Sequence, residues 1–237
     1  MTDAPKIPEI ISFTKKWHRE PYPYISPTRP ELSARGKNVI ITGGGTGIGN
    51  AIAIGFAQAG AKSVSILGRR LDKLESGAAA ISKSSRETKV LHKAADLLNR
   101  SAVDAALKAI VEEVGKIDIF VSNAGSIQAP GPVVGYNADE LTRGFELNVV
   151  SALNAIQAFM PLAGSNPIFL NTSSCLANVA PWAGTGAYSI TKAANLKMMD
   201  YLAAENPNLH VVNVQPGWVP TEMNGRQKEA PDVGTWL

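Results

Sequence analysis

The sequence holds one cysteine, Cys175, so no disulfide can form within the chain. Histidine is scarce too. His18, His92 and His210 are scattered, and no carboxylate-rich cluster joins them, so no metal site is expected. No apolar run approaches the roughly 18 residues of a spanning helix, so no membrane passage is expected. The apolar patch at the N-terminus, Ile10-Ile11, is two residues long and is surrounded by Asp3, Pro5, Pro8 and Glu9, unlike a secretory leader. Neither sign of charge is in large excess. Twenty-three basic and 20 acidic residues leave a net charge of +3 with no clustering, which makes no case for nucleic acid or an anionic membrane as partner. The G-x-S-x-G elbow of the α/β-hydrolases is missing. These absences describe a soluble protein of a reducing compartment, with a cytoplasmic location expected.

What is present is an ordinary globular composition, 45% apolar and 18% charged. A chain of 237 residues fits one domain and can bury roughly 70% of its unfolded surface. Residues 1–36 stand apart. Six of the 15 prolines lie there (Pro5, Pro8, Pro21, Pro23, Pro27 and Pro30), and proline cannot donate to a ladder, so an extended arm is expected. Trp17, Tyr22 and Tyr24 suggest that the arm lies on a surface, and Lys15, Lys16, His18 and Arg19 read as its solvated face.

From Lys37 onward short apolar runs alternate with longer Ala- and Leu-rich stretches. The runs at 38–42, 63–67, 88–92, 117–122, 168–172 and 210–214 predict strands. The stretches at 47–59, 71–83, 101–114, 139–160 and 188–205 predict helices. Continuous apolar strands separated by helices imply a parallel sheet covered on both faces. Right-handed crossovers then give a doubly wound, Rossmann-type α/β domain over residues 37–237, with about six strands. Asn137 followed by Glu140 is a capping pair, and Gly60 is placed to end the first helix.

The first strand runs directly into Thr42-Gly43-Gly44-Gly45-Thr46-Gly47-Ile48-Gly49, and a helical pattern follows. Glycines allow a tight turn and close backbone approach, and free amides at a helix start favour an anion. Asn50 after Gly49 excludes a P-loop, which needs Lys and Ser/Thr there. The spacing Gly43-x3-Gly47-x-Gly49 resembles that of the short-chain dehydrogenase/reductase family, and the likeness extends over roughly residues 37–222.

The second strand ends Leu67-Gly68-Arg69-Arg70. A carboxylate there would suit the ribose of NAD, whereas a guanidinium suits the 2′-phosphate of NADP, so Arg69 predicts NADP(H). Thr46 adds a hydroxyl toward the same phosphate. The resemblance assigns Asp96 to the adenine amino group and Asn123-Ala124-Gly125 to a small turn passing close to the cofactor. It assigns Pro216, Gly217, Val219 and Thr221 to the carboxamide of the nicotinamide.

Tyr188 and Lys192 stand four apart, on one face of a helix. An unperturbed tyrosine is a poor base at neutral pH, and an ammonium beside it is expected to lower its pKa and make it a usable acid/base. Lys192 would also reach the nicotinamide ribose. Upstream, Asn171-Thr172-Ser173-Ser174-Cys175 offers the hydroxyl that holds a substrate oxygen. The family commonly sets its serine thirteen positions before the tyrosine. Cys175 occupies that position and Ser174 stands one earlier, so the two compete, and the strand-end pattern and the weak donor strength of a thiol favour Ser174. In relatives an asparagine at Asn148 disrupts its helix to hold a water linking the lysine to solvent, and asparagine is unfavourable inside a helix on its own account.

Such sheets normally have seven strands. Only residues 216–237, 22 in all, remain beyond the sixth and Gln215, too few for a helix and a further strand, and this leaves homo-oligomerisation open. The expected activity is that of an NADPH-dependent oxidoreductase acting on a small carbonyl or alcohol through Ser174, Tyr188, Lys192 and Asn148. An isomerase or cyclase on the same fold, or a non-catalytic cofactor-binding subunit, is the alternative. Trp182 and Trp218 flank the site and either line an apolar pocket or pack at the surface. The Pro-rich arm is loosely similar to fungal members of the family, some of which serve secondary metabolism.

Overall fold

The computed structural model describes residues 21–179 and 181–225. The expectations for Pro5, Pro8, Trp17 and the basic cluster, and for residues 226–237, lie outside the described residues. Six strands form one parallel sheet: β1 (Asn38–Thr42), β2 (Ser63–Gly68), β3 (Lys89–Ala94), β4 (Ile117–Ser122), β5 (Ala163–Thr172) and β6 (His210–Val214). Their order is β3-β2-β1-β4-β5-β6, so the direction of winding reverses between β1 and β4. In open sheets of this kind, ligands bind beyond the carboxyl ends of the strands at that reversal.

Among the described residues six α-helices flank the sheet: α1 (Gly47–Gln58), α2 (Leu71–Ser84), α3 (Arg100–Val114), α4 (Ala138–Phe145), α5 (Ser151–Phe159) and α6 (Gly186–Glu205). Alternate strand residues supply two cores. Val39 and Ile41 of β1 face α1 and α2 with Ala53, Ala57, Leu74 and Ile81. Ile40 faces the other way, toward α3, α5 and α6. There Phe120, Phe159 and Phe169 meet, with Phe120 and Phe169 stacked at 5.5 Å and Phe120 and Phe159 at 5.0 Å between ring centroids. Both faces of the central strands are therefore apolar, which is why they read as continuous runs.

Two segments differ from expectation. β5 starts earlier, because its pairing with β4 shifts between Ile117 and Ile119 and the bulge accommodates Pro167, which has no N–H to give. The helix expected over 139–160 is interrupted: residues Glu146–Val150 form a π turn between α4 and α5. A π turn leaves side chains out of α-helical phase and is common at functional sites. No described helix is long and apolar enough to cross a membrane.

The described part of the arm forms two proline-led 3₁₀ turns, Pro23–Ile25 and Pro30–Leu32. Tyr24 is exposed under the Arg29 guanidinium, 4.5 Å from the ring centroid. The arm reaches the domain at Ala34, which is buried and donates its N–H to the Ala59 carbonyl at 2.8 Å.

Candidate active site

A cleft of about 1090 Å³ opens at the carboxyl ends of the strands. It is lined by Gly43, Thr46, Gly47, Ile48, Arg69, Asp96, Asn123, Ala124 and Gly125, and by Ser174, Tyr188, Lys192, Pro216, Gly217, Val219 and Thr221. Of the sequence-predicted residues only Gly49 and Asn148 stand behind this lining.

The glycine loop holds Gly43 at φ 67° and Gly47 at φ 54°, conformations that side chains resist. Thr46 is the N-cap of α1 and makes no side-chain capping bond. The first amides of the helix are thus left to face the cleft with the positive end of the helix dipole. Gly49 has a different reason. A Cβ there would collide with the Gly43 carbonyl oxygen and stand 2.5 Å from Asn123 Nδ2, so Gly49 lets α1 pack onto the sheet.

Thr42 pins the next turn. Its Oγ1 accepts from the N–H groups of Asn123 at 3.0 Å and Ala124 at 3.1 Å. The same hydroxyl donates to Val121 O at 3.3 Å. Asn123 Nδ2 returns a bond to Thr42 O at 3.1 Å, and Thr172 Oγ1 donates to Asn123 Oδ1 at 3.3 Å. Three strands thereby fix the position of Asn123-Ala124-Gly125.

On α6 the residues Ala187, Thr191, Asn195, Met199 and Leu202 form one buried stripe, with Lys192 beside it. Its middle members, Thr191 and Asn195, are polar, and Tyr188, Lys192 and Leu196 beside them line the cleft. The carboxyl-terminal part, Met199 and Leu202, packs in the core. Tyr188 therefore emerges from the first turn of a helix whose far end is anchored by burial. The Ser174 side chain acts on its hydroxyl so as to lower the tyrosine pKa, and Ser174 Oγ accepts from Leu176 N at 3.3 Å. Both competing residues, Ser174 and Cys175, line the cleft and act on Tyr188, in opposite directions.

Lys192 is 8% exposed, and its Nζ donates to Thr172 O at 2.9 Å. Burial lowers its pKa from 10.5 to about 8. Tyr188 shifts against expectation. Burial raises it above its ordinary value, the Ser174 side chain opposes this, and Cys175 adds to the rise. Lys192 Nζ lies 5.8 Å from the centroid of the tyrosine ring and donates to Thr172 O, and burial of Tyr188 outweighs the expected lowering. Tyr188 is therefore protonated at neutral pH.

Asn148 lies at the centre of the π turn and is 3% exposed. Its Oδ1 accepts from Ser126 N at 2.7 Å, and its Nδ2 donates to Ser126 O at 2.9 Å and Thr191 Oγ1 at 3.0 Å. Its backbone carbonyl accepts from Asn195 Nδ2 at 2.9 Å. Asn195 Oδ1 in turn accepts from Asn171 Nδ2, which also donates to Asn213 Oδ1, both at 2.9 Å. Four asparagines thus tie β6, β5, α6 and the π turn together. Sequence reasoning missed Asn195. Its signal was the polar residue three after Lys192 on the buried face of α6.

At the other end of the cleft stand Arg69, Arg70 and Lys73. Lys73 was missed, although it follows Arg70 by one helical turn. Glu222, also missed, places Oε1 3.3 Å from Lys73 Nζ and Oε2 3.5 Å from Arg70 Nη1, and these cations hold its carboxyl below the usual range. Nothing in the local sequence pairs residue 222 with residues 70 and 73. Asp96 is exposed, and its Oδ1 accepts from Leu98 N at 3.0 Å. Both Trp182 and Trp218 line the cleft. Among the described residues no group of three or more His, Cys, Asp or Glu could hold a metal ion.

The chain is 29% identical over 231 residues to the short chain dehydrogenase andI of Emericella variicolor, covering 94% of this chain and 78% of that one. Among solved structures, an alcohol dehydrogenase from Thermococcus sibiricus complexed with 5-hydroxy-NADP superposes with a TM-score of 0.75 at 25% identity, covering 83% of each chain. L-Sorbose reductase from Gluconobacter frateurii, complexed with NADPH and L-sorbose, gives 0.72 at 29% identity, covering 79% of this chain and 72% of that one. The sequence model of the short chain dehydrogenases matches residues 37–232, and the chain belongs to that family of oxidoreductases.

Proposed function

We propose that the protein reduces a ketone or aldehyde with NADPH. The observation that carries this reading is the placement of Ser174, Tyr188 and the buried Lys192 in the same cleft as the glycine loop. The open first turn of α1 and the small Asn123-Ala124-Gly125 turn fit a dinucleotide. Gly43, Thr46, Gly47, Ile48, Asn123, Ala124 and Gly125 would hold it, with Asp96 toward the adenine and Pro216, Gly217, Val219 and Thr221 toward the nicotinamide. When bound, the cofactor supplies a hydride to the carbonyl carbon.

The chain's own residues do the rest. Ser174 Oγ holds the carbonyl oxygen. Tyr188 Oη gives that oxygen its proton, a direction favoured by the raised pKa of Tyr188. Lys192 Nζ, poised near neutrality, takes part in returning the proton to the tyrosine. Asn148 braces this relay by bonding Thr191, the residue before Lys192. Arg69, with Arg70 and Lys73 close by, favours NADP(H) over NAD(H) through the 2′-phosphate. Leu176, Val179, Trp182, Trp218 and Met223 also line the cleft and suit an apolar or aromatic substrate.

Titration of the protein with NADPH and NADH, followed by fluorescence, tests the cofactor. Tighter NADPH binding is expected, and tighter NADH binding overturns that choice. Tyr188→Phe tests the chemistry: turnover should be lost with NADPH binding nearly unchanged. Wild-type turnover in that variant refutes the assignment. Product formed with no change in NADPH absorbance identifies an isomerase instead.

A further inference from the structure

Residues 215–225 leave the end of β6 and run along the cleft toward α2. The segment is ordered from within. Thr221 and Asn224 form a capping box, with Thr221 N donating to Asn224 Oδ1 at 2.9 Å, and Asn224 Nδ2 donates to Val219 O at 3.1 Å. Gly225 closes the turn at φ 67°. Thr221 rests on the glycine loop, its Cγ2 3.2 Å from where a Cβ on Gly47 would stand. One residue further, Glu222 meets Lys73 and Arg70. The strap therefore connects the β6 side of the cleft with the first turn of α2.

These cations flank the end of β2, where the proposed 2′-phosphate would be read. All four side chains, Arg69, Arg70, Lys73 and Glu222, line the one cleft. A carboxylate and a phosphate monoester compete for the same donors, since both accept charge-assisted bonds from guanidinium and ammonium groups. We infer that Glu222 is an internal competitor for the 2′-phosphate of the nucleotide, engaging Arg70 and Lys73 until the phosphate displaces it. The inference rests on the NADP(H) reading proposed above. Glu222 then sets the margin between the two nicotinamide cofactors. It weakens NADPH selectively, because a nucleotide without the phosphate leaves its ion pairs intact. Displacement also frees the strap from α2, which couples the state of the phosphate site to the Tyr188 side of the cleft.

The test is Glu222→Gln, which keeps the size of the side chain and removes the charge. The ion pairs are partly exposed, so the effect is modest. NADPH should bind about fivefold tighter, the scale of two screened pairs, with NADH unchanged. The gain should shrink as salt is raised. The fragments 2′,5′-ADP and 5′-AMP provide the second measurement. The variant should tighten the first by a similar factor and leave the second alone. Equal changes for both fragments, or weaker binding of 2′,5′-ADP, overturn the inference. Wild-type preference for NADH overturns the cofactor proposal, whereas the fragment pair still decides the role of Glu222. Thermal melting of the variant alongside the wild type confirms an intact fold.

Discussion

Replacing Thr42 by valine removes one hydroxyl from the centre of the molecule and keeps its shape. Thr42 is 1% exposed, and its Oγ1 is the acceptor for two backbone amides, those of Asn123 and Ala124. The new methyl group would leave both without that acceptor. A fully buried orphan costs about 1–3 kcal/mol. Asn123 and Ala124 are half-buried, so the lower part of that range applies to each, about 2–3 kcal/mol together. Thr42→Ser is the control. It keeps the hydroxyl and loses one buried methyl, at about 1 kcal/mol. Urea unfolding should therefore give a midpoint for Thr42→Val about 1 M below wild type, with the serine variant between them. The turn also lines the cleft, so Thr42→Val should weaken NADPH several-fold while Thr42→Ser leaves binding near wild type. A valine variant at least as stable as the serine variant, with unchanged denaturant dependence, refutes the account of how β1 holds β4.

The other predictions concern α6. Lys192 is charged in the unfolded chain up to about pH 10.5 but in the fold only to about pH 8, so its burial disfavours the fold at neutral pH and wild-type stability rises between those values. Lys192→Met should therefore be inactive yet melt higher at pH 7, with the advantage shrinking by pH 10; an advantage independent of pH refutes it. Asn195→Leu leaves the Asn148 carbonyl without its amide donor and should cost about 1–3 kcal/mol of stability, with a lower kcat and an altered kcat–pH profile. Wild-type melting and an unchanged profile in that variant show that the amide ladder does not position the site.

The strands were readable from the sequence because β1, β2 and β4 are buried on both faces, and that burial is written directly as apolar runs. The glycine loop and the Tyr188–Lys192 pair were readable because their geometry is local, set within one turn or one helix. The break at Glu146–Val150 was not. Leu147, Val149 and Val150 continue the apolar pattern of the flanking helices, and only the poor helix propensity of Asn148 marked the place. The expected lowering of the Tyr188 pKa failed for a tertiary reason: the Lys192 ammonium is bonded to a β5 carbonyl, and burial dominates. Glu222 shows the same limit, since its partners lie about 150 positions away in the chain.

The π turn also sets a rule for length. One residue of an α-helix turns the chain through about 100°. The π turn holds the register of α5 out of step with that of α4, as if a single residue had been spliced into a continuous rod. Removing any one residue between 146 and 150 would restore the rod and swing either Asn148 or the whole packed face of α5, including Phe159, away from its partners. This stretch can thus change its letters far more easily than their number, and its tally of residues is as much a part of the site as the identity of Asn148.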